Sequence, residues 1–153
     1  MKAKTGLRAR EIQNRRAYHD YFIIEKLECG ISLRGNEVKS ILEGSANITE
    51  SWCSINNGQL AVHNMFVSKY RQANDFDVEE RRDRILLAHK SEIRKLNQKL
   101  KEKGLTIVPL RVYYSDMGKV KMEIGLARGK HSYDKRESLK AKQVSRDIER
   151  SVK

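Results

Sequence analysis

The chain is predicted to be mainly β with flanking helices (α+β): a small closed antiparallel barrel of about six strands, with flexible basic termini. Three observations carry this. Runs of aliphatic, aromatic and β-branched residues recur through the middle of the chain, joined at two places by hairpin tripeptides, Asn56-Asn57-Gly58 and Asp116-Met117-Gly118. With 153 residues, 39 % of them apolar, there is material for one core and hardly for two. The formal charge of +12, from 32 basic and 20 acidic side chains, is almost confined to the ends. Residues 1–16 hold six basic groups against Glu11, and residues 119–153 hold eleven against five. The span 17–118 is nearly neutral, with 15 against 14. The expected division is a basic flexible arm over 1–13, a barrel over 14–130 and a basic tail over 131–153 that is disordered when free. Neither end has enough large apolar groups to offset the entropy of ordering itself.

Taken in order, Tyr18 to Cys29 reads as a first strand stopped by Gly30, and Ile31 and Leu33 continue as a second. A helix is predicted from Asn36, whose side chain can cap free amides, with Val38, Ile41 and Leu42 on one face and Gly44 as its left-handed stop. Trp52 to Ile55 and Gln59 to Val67 are strands about the Asn-Asn-Gly turn. Lys69 to Arg84 is so crowded with opposite charges that it reads as a surface excursion of solvated ion pairs. Ile85, Leu86 and Leu87 return to the core. A helix from about Ser91 to Lys103 follows, with Ile93, Leu96 and Leu100 as its apolar stripe and Gly104 closing it. Leu105 to Tyr114 and Lys119 to Ala127 form the second hairpin. Pro109 must sit there at an edge or a bulge, because it cannot donate to the ladder. Closure removes exposed edges, so the strands favour a barrel. The oligonucleotide-binding type leads on size and strand count, and other small barrels fit nearly as well.

The charge points to a polyanionic partner. No apolar run is long enough to span a membrane and the first residues carry no secretory signal, so a cytoplasmic protein with no membrane partner is expected. Cys29 and Cys53 have no metal-binding or disulfide spacing and read as reduced packing residues. His19, His63, His89 and His131 are scattered, and no motif for metal, cofactor or nucleophilic chemistry occurs. The glycines of Gly125 to Lys130 (GLARGK) read as a strand end, not a phosphate loop. The expectation is therefore no enzyme, no cofactor and no metal. Two other readings stay open: a barrel binding single-stranded nucleic acid without preference, and a nuclease holding Mg²⁺ on Asp75, Asp77, Glu79 and Glu80. Of the aromatic side chains that could stack on bases, Tyr18, Tyr21, Trp52, Tyr113 and Tyr114 read mostly as core. Tyr133 stands exposed among cations in GKHSYDKRE.

Five segments together resemble the SsrA-binding protein family, also called small protein B. They are NRRAYHDYFI (14–23), ECGISLRGNEVKSILEGSANI (28–48), RRDRILLAHKSEIRKL (81–96), GLTIVPLRVYYSDMGKVKMEIGLARGK (104–130) and SYDKRESLK (132–140). The resemblance implies an oligonucleotide-binding-like barrel that binds the transfer-RNA-like domain of transfer-messenger RNA and delivers it to stalled ribosomes for trans-translation. It implies RNA contacts at Asn14, Glu28, Leu87 and Lys119. Asn14 and Glu28 would read base or sugar edges, Leu87 would pack on a base and Lys119 would neutralise phosphate. Arg15, Arg16, His19, Lys121 and Lys130 extend that set. Gly129, Tyr133, Asp134, Lys135 and Arg136 match the family's tail, which is implied to enter the decoding centre against 16S rRNA and to run on along the messenger channel. Elongation factor Tu would be met only indirectly, through the charged RNA, and the protein would act as a monomer.

Overall fold

Asn14 starts a helix before the first long strand can begin. Its side-chain oxygen accepts the Ala17 N–H at 3.2 Å, as an N-cap does, so Arg15–Asp20 forms α1 and takes Tyr18–Asp20 from the predicted strand. The computed structural model describes residues 11–69 and 79–130. The acidic pair Asp75 and Asp77, most of the N-terminal arm and the whole tail beyond Lys130 lie outside the described residues.

Ahead of α1 lies the short β1, Ile12–Gln13, and after it β2 runs over Tyr21–Ile31, passing through Gly30 without the predicted stop. The next helix, α2, is Gly35–Leu42. Its first turn is held by the Glu37 carboxylate, which accepts the Arg34 N–H at 2.8 Å, and Asn36 does not cap it. The remaining elements are β3 (Ala46–Asn47), β4 (Trp52–Asn56), β5 (Gln59–His63), β6 (Phe66–Val67), β7 (Arg84–Leu87), α3 (Lys90–Lys99), β8 (Leu105–Tyr114) and β9 (Val120–Gly129). Between β4 and β5, Asn57 and Gly58 both take positive φ, 51° and 77°, as the tight turn there requires.

The main sheet has the order β1-β8-β4-β5-β7-β2-β9, and β8 also pairs with β9, so six antiparallel strands close into a ring. The ladders β2–β9 and β8–β9 are long, whereas β2–β7 and β4–β8 are short seams. Pro109 lies at the register shift in β8, as its missing N–H requires. Leu60, Val62, Leu86, Ile107, Val112, Met122 and Ile124 fill the interior, joined by Ile41 of α2 and by Ile93 and Leu96 of α3. Cys29 and Cys53 are free thiols within that core. Burial pushes the Cys29 thiol up to about 12, with the Glu92 and Glu28 carboxylates adding to the rise.

The predicted surface excursion is only partly a surface. Arg84 is fully buried in β7, and every N–H of its guanidinium has an acceptor. Nε and Nη2 donate to Glu37 Oε2 at 3.0 and 2.6 Å, Nη1 to the carbonyls of Met65 (2.7 Å) and Arg82 (3.1 Å), and Nη2 also to that of Glu80 (3.3 Å). Arg82 grips the same carboxylate at 2.6 and 2.9 Å. These charges are therefore not solvated pairs: they tie β7 to α2 and to the segment after β5. Burial alone would raise the Glu37 pKa, but the hydrogen bonds from Arg82, the Arg34 backbone and Arg84 outweigh it and hold the carboxyl below its ordinary range.

Because the folded-state pKa of Glu37 is depressed, its contribution is present above the unfolded value of roughly 4.3 and is lost as pH falls through the folded one. Glu37→Gln is expected to cost about 3–5 kcal/mol at pH 7, the usual penalty for leaving a buried charge unpaired. Urea unfolding checks this. The variant should also lack part of the acid-induced loss below pH 4.3 that the native chain shows, and equal midpoints at pH 7 would contradict the assignment.

Candidate nucleic-acid interface

The outer surface of β7, β2, β9 and β8 is set by which residues go inside. A bulge in β2 between Ile23 and Glu25 resets its phase, so Leu27 and Cys29 enter the core while Lys26, Glu28 and Gly30 face outward. On β9, Met122 and Ile124 go in, leaving Lys121 and Glu123 outside. On β8, Val112 goes in, leaving Arg111 and Tyr113 outside. Arg84 and Leu86 point inward on β7, so Leu87 emerges, 57 % exposed. Of the three apolar residues predicted to return to the core, only Leu86 is buried in it.

Register then lines these residues up across the sheet. Leu87 pairs with Gly30, Gly30 with Lys121, and Lys121 with Tyr113. In the next row Glu28 pairs with Glu123, which pairs with Arg111. Gly30 is where the first row needs no side chain: a Cβ there would lie 3.4 Å from that of Leu87, which leans over it. Leu27, Glu28, Gly30, Leu87, Ala88, His89, Glu92 and Lys121 line an open hollow of about 540 Å³. The Arg111 guanidinium lies 4.0 Å above the Tyr113 ring and binds Glu123 at 3.1 Å and Glu11 at 2.5 Å. Its hydrogen bond holds the Glu11 carboxyl below the usual range against the opposing effect of burial.

A second, smaller apolar cluster fastens α1 outside the barrel. Ala17 packs with Val108, Leu110 and Ala127, and with the partly buried Tyr21 and Ile23. Gly125 belongs to this arrangement, since a Cβ would come within 3.0 Å of Leu110 and 3.1 Å of Ile23. It therefore lies inside β9 for packing, and only Gly129 marks the strand end. The helix presents Arg15, Arg16, Tyr18 and His19 to solvent, with Arg16 and His19 both bound to Asp20, at 3.2 and 2.9 Å. Lys130 donates to the Tyr18 carbonyl at 3.1 Å and lies 5.2 Å over the Phe22 ring, while Lys26 lies 5.5 Å over that of Tyr18.

The structure thus gathers Glu28, Leu87 and Lys121 in one hollow and sets exposed Lys119 beyond it at the β8–β9 turn. Arg15, Arg16, His19 and Lys130 form a separate group on and beneath α1. Asn14 joins neither. It is 3 % exposed, and its amide donates to the carbonyls of Pro109 (2.8 Å) and Ile48 (3.3 Å) while its oxygen caps α1. Both donors of its amide are thus committed within the fold, where they place the helix that carries its neighbours. Gly129 ends β9 opposite Tyr21, and Tyr133, Asp134, Lys135 and Arg136 lie outside the described residues. Tyr18, Trp52 and Tyr114, read from sequence as mostly core, are exposed. Sequence reasoning did not single out Lys26, His89, Glu92 or Arg111 for this face, and it read Tyr113 as core. The second hairpin would have placed Tyr113 beside Lys121, and alternation from Glu28 would have placed Lys26.

A closed antiparallel barrel with cations and an exposed leucine on one outer face is a nucleic-acid-binding type of domain. The family model described as SmpB protein matches residues 11–153. The SsrA-binding protein of Moorella thermoacetica is 49 % identical over 140 residues, spanning 92 % of this chain and 90 % of its own. That of Sulfurihydrogenibium sp. is 51 % identical over 140 residues, spanning 92 % and 91 %, and that of Clostridium novyi is 50 % identical over 141, spanning 92 % and 89 %. A solved chain from "tmRNA-SmpB: a journey to the center of the bacterial ribosome" superposes with a TM-score of 0.68 at 44 % identity, covering 80 % of this chain and 85 % of that one. The chain belongs to the SmpB family of SsrA-binding proteins.

Proposed function

We propose that the chain binds the transfer-RNA-like domain of transfer-messenger RNA and carries it to stalled ribosomes for trans-translation. The observation that carries this reading is the hollow that joins Glu28, Leu87 and Lys121, because it combines an apolar contact, a carboxylate and a cation in one place on the outer sheet face. Lys119 extends it toward phosphate, and Arg15, Arg16, His19 and Lys130 supply a second cationic patch around α1. Contacts of this mixed kind suit a folded RNA with a few accessible bases better than a uniform single strand, which calls for a continuous groove of stacked rings. The protein acts as a binding partner and not as a catalyst, in the cytoplasm, as a monomer. Family membership at about half identity supports this reading.

Gly129, Tyr133, Asp134, Lys135 and Arg136 then begin a tail that works on the ribosome, with Tyr133 stacking on 16S rRNA in the decoding centre and the following residues in the messenger channel. Elongation factor Tu is met through the charged RNA alone.

Gel-shift titration of the full chain against transfer-messenger RNA, a transfer RNA and an unstructured RNA tests the binding claim. The first is expected to bind most tightly by at least tenfold over the unstructured RNA, and equal affinities would mean a barrel without preference. Truncation after Gly129, which also removes Lys130, is expected to weaken that affinity by no more than a few fold while abolishing peptide tagging on stalled ribosomes in a reconstituted translation assay. Normal tagging by the shortened chain would rule out the role given to the tail.

A further inference from the structure

On β4 and β5, Cys53, Leu60 and Val62 point into the core, so alternation turns Trp52, Ser54, Ala61 and His63 outward. There the Ser54 hydroxyl lies 2.5 Å from His63 Nε2, and His63 Nδ1 lies 2.9 Å from Asp83 Oδ1, at the approach to β7. A carboxylate oxygen only accepts, so Nδ1 carries a proton. The neutral ring then has its lone pair on Nε2, and the serine hydroxyl is the donor of the short bond. Trp52 packs against the ring with its centroid 5.4 Å away, and the His63 side chain is 20 % exposed, against 68 % for Asp83. The cross-strand neighbour of Ser54 is Ala61, too small to roof the hydroxyl. Strands β4 and β5 are already joined by a continuous ladder from Trp52 opposite His63 to Asn56 opposite Gln59, so this chain of three side chains is not needed to hold them together.

We propose that Ser54 is a nucleophile and the site of a covalent modification, taking an acyl group from an activated ester or thioester. His63 is its general base, and Asp83 is the positioning residue that fixes the ring's tautomer and steadies the imidazolium that forms. Ser54 Oγ attacks the carbonyl carbon while His63 Nε2 takes its proton. The C–O or C–S bond to the leaving group then breaks, and the proton passes from Nε2 to the departing oxygen or sulfur. The products are acyl-Ser54 and a free phenol, alcohol or thiol, with His63 neutral again and no change of oxidation state. The sheet also limits the donor. Backbone N–H groups in a sheet lie along it, aimed at the neighbouring strand, and are not turned outward to steady an oxyanion above Ser54. Donors with poor leaving groups, such as peptides, are therefore out of reach, and the reaction is a stoichiometric modification without turnover. The site lies on β4 and β5, across the ring from β2 and β9, and does not rest on the reading under Proposed function.

The test incubates the full chain with p-nitrophenyl acetate and, separately, with an acetyl thioester, and maps the acetyl groups by peptide mass spectrometry. Neutral hydroxylamine strips an ester from Ser54 and leaves acetyl amides on lysines, which tells the two apart. Ser54 is expected to be acetylated about 100-fold faster in the native chain than in His63→Gln, the low end of what a positioned general base contributes. Asp83→Asn is isosteric and sits at an exposed position, yet its amide donates to Nδ1 and so moves the ring proton to Nε2. Labelling of Ser54 should fall at least about tenfold in that variant, less than at a buried triad because water screens Asp83. Thermal melting confirms that each variant is folded, and if His63→Gln does not fold, Asp83→Asn decides alone. Labelling by one donor only supports the proposal and identifies the leaving group that the site accepts. Labelling of Ser54 by neither donor, or equal rates in the native chain and Asp83→Asn, overturns it and leaves the three residues as a hydrogen-bond chain between strands.

Discussion

Strand β7 can carry Leu87 outside only because Arg84, three residues earlier, goes inside, and an arginine goes inside only when each of its N–H groups finds an acceptor. Glu37 and the carbonyls of Met65, Arg82 and Glu80 provide them. Side chains alternate along a strand, so this one ion pair sets the phase of the whole short element. Were β7 to slip by one residue, Leu86 would come out, Leu87 would go in, and the hollow above Gly30 would lose its apolar wall. A buried ion pair is weak evidence for net stability, because two desolvated charges gain little over a well-packed apolar pair. Here its value lies in register.

Two glycines do comparable work on the adjoining strands. At Gly30 the missing side chain lets Leu87 lie down over β2, and at Gly125 it lets Leu110 and Ile23 cross β9 to hold α1. One vacancy shapes the hollow and the other places the cationic helix. Asn14 completes the second arrangement by tying the start of α1 to the bulged part of β8. The outer face is thus assembled from residues that make no outward gesture of their own. Arg84, Gly125 and Asn14 are buried, and what they position is exposed.

Much of this was legible in the amino-acid order. Both hairpins announced themselves through turns whose backbone needs glycine, and Pro109 declared its bulge by lacking a donor. The closed ring followed from strand count and the cost of open edges. Three features were not legible, for separate reasons. Helix α1 is too short for an apolar period to show, and its one core residue, Ala17, is small. Gly30 looked like a stop because glycine in a strand has two meanings, and only the leucine packed above it decides between them. Arg84 was hidden among Arg81, Arg82 and Asp83, and alternation could not separate it because Ile85, Leu86 and Leu87 are all apolar. At the candidate interface, Glu28, Leu87 and Lys121 come from three strands, and nothing local in the chain states that they meet; the family pattern pointed to residues singly, Asn14 among them, without showing which of them share a hollow.

The central claim is that the outer face of β7, β2, β9 and β8, with α1 at its side, is where the folded RNA sits. The most direct measurement is an NMR shift map of the full chain titrated with the transfer-RNA-like domain. The account expects the largest changes at the Leu87 methyl groups, the Gly30 and Lys121 amides and α1, with the Asn56–Gly58 turn of the β4–β5 hairpin unmoved. Changes concentrated at that hairpin, with Leu87 and Gly30 silent, would contradict it.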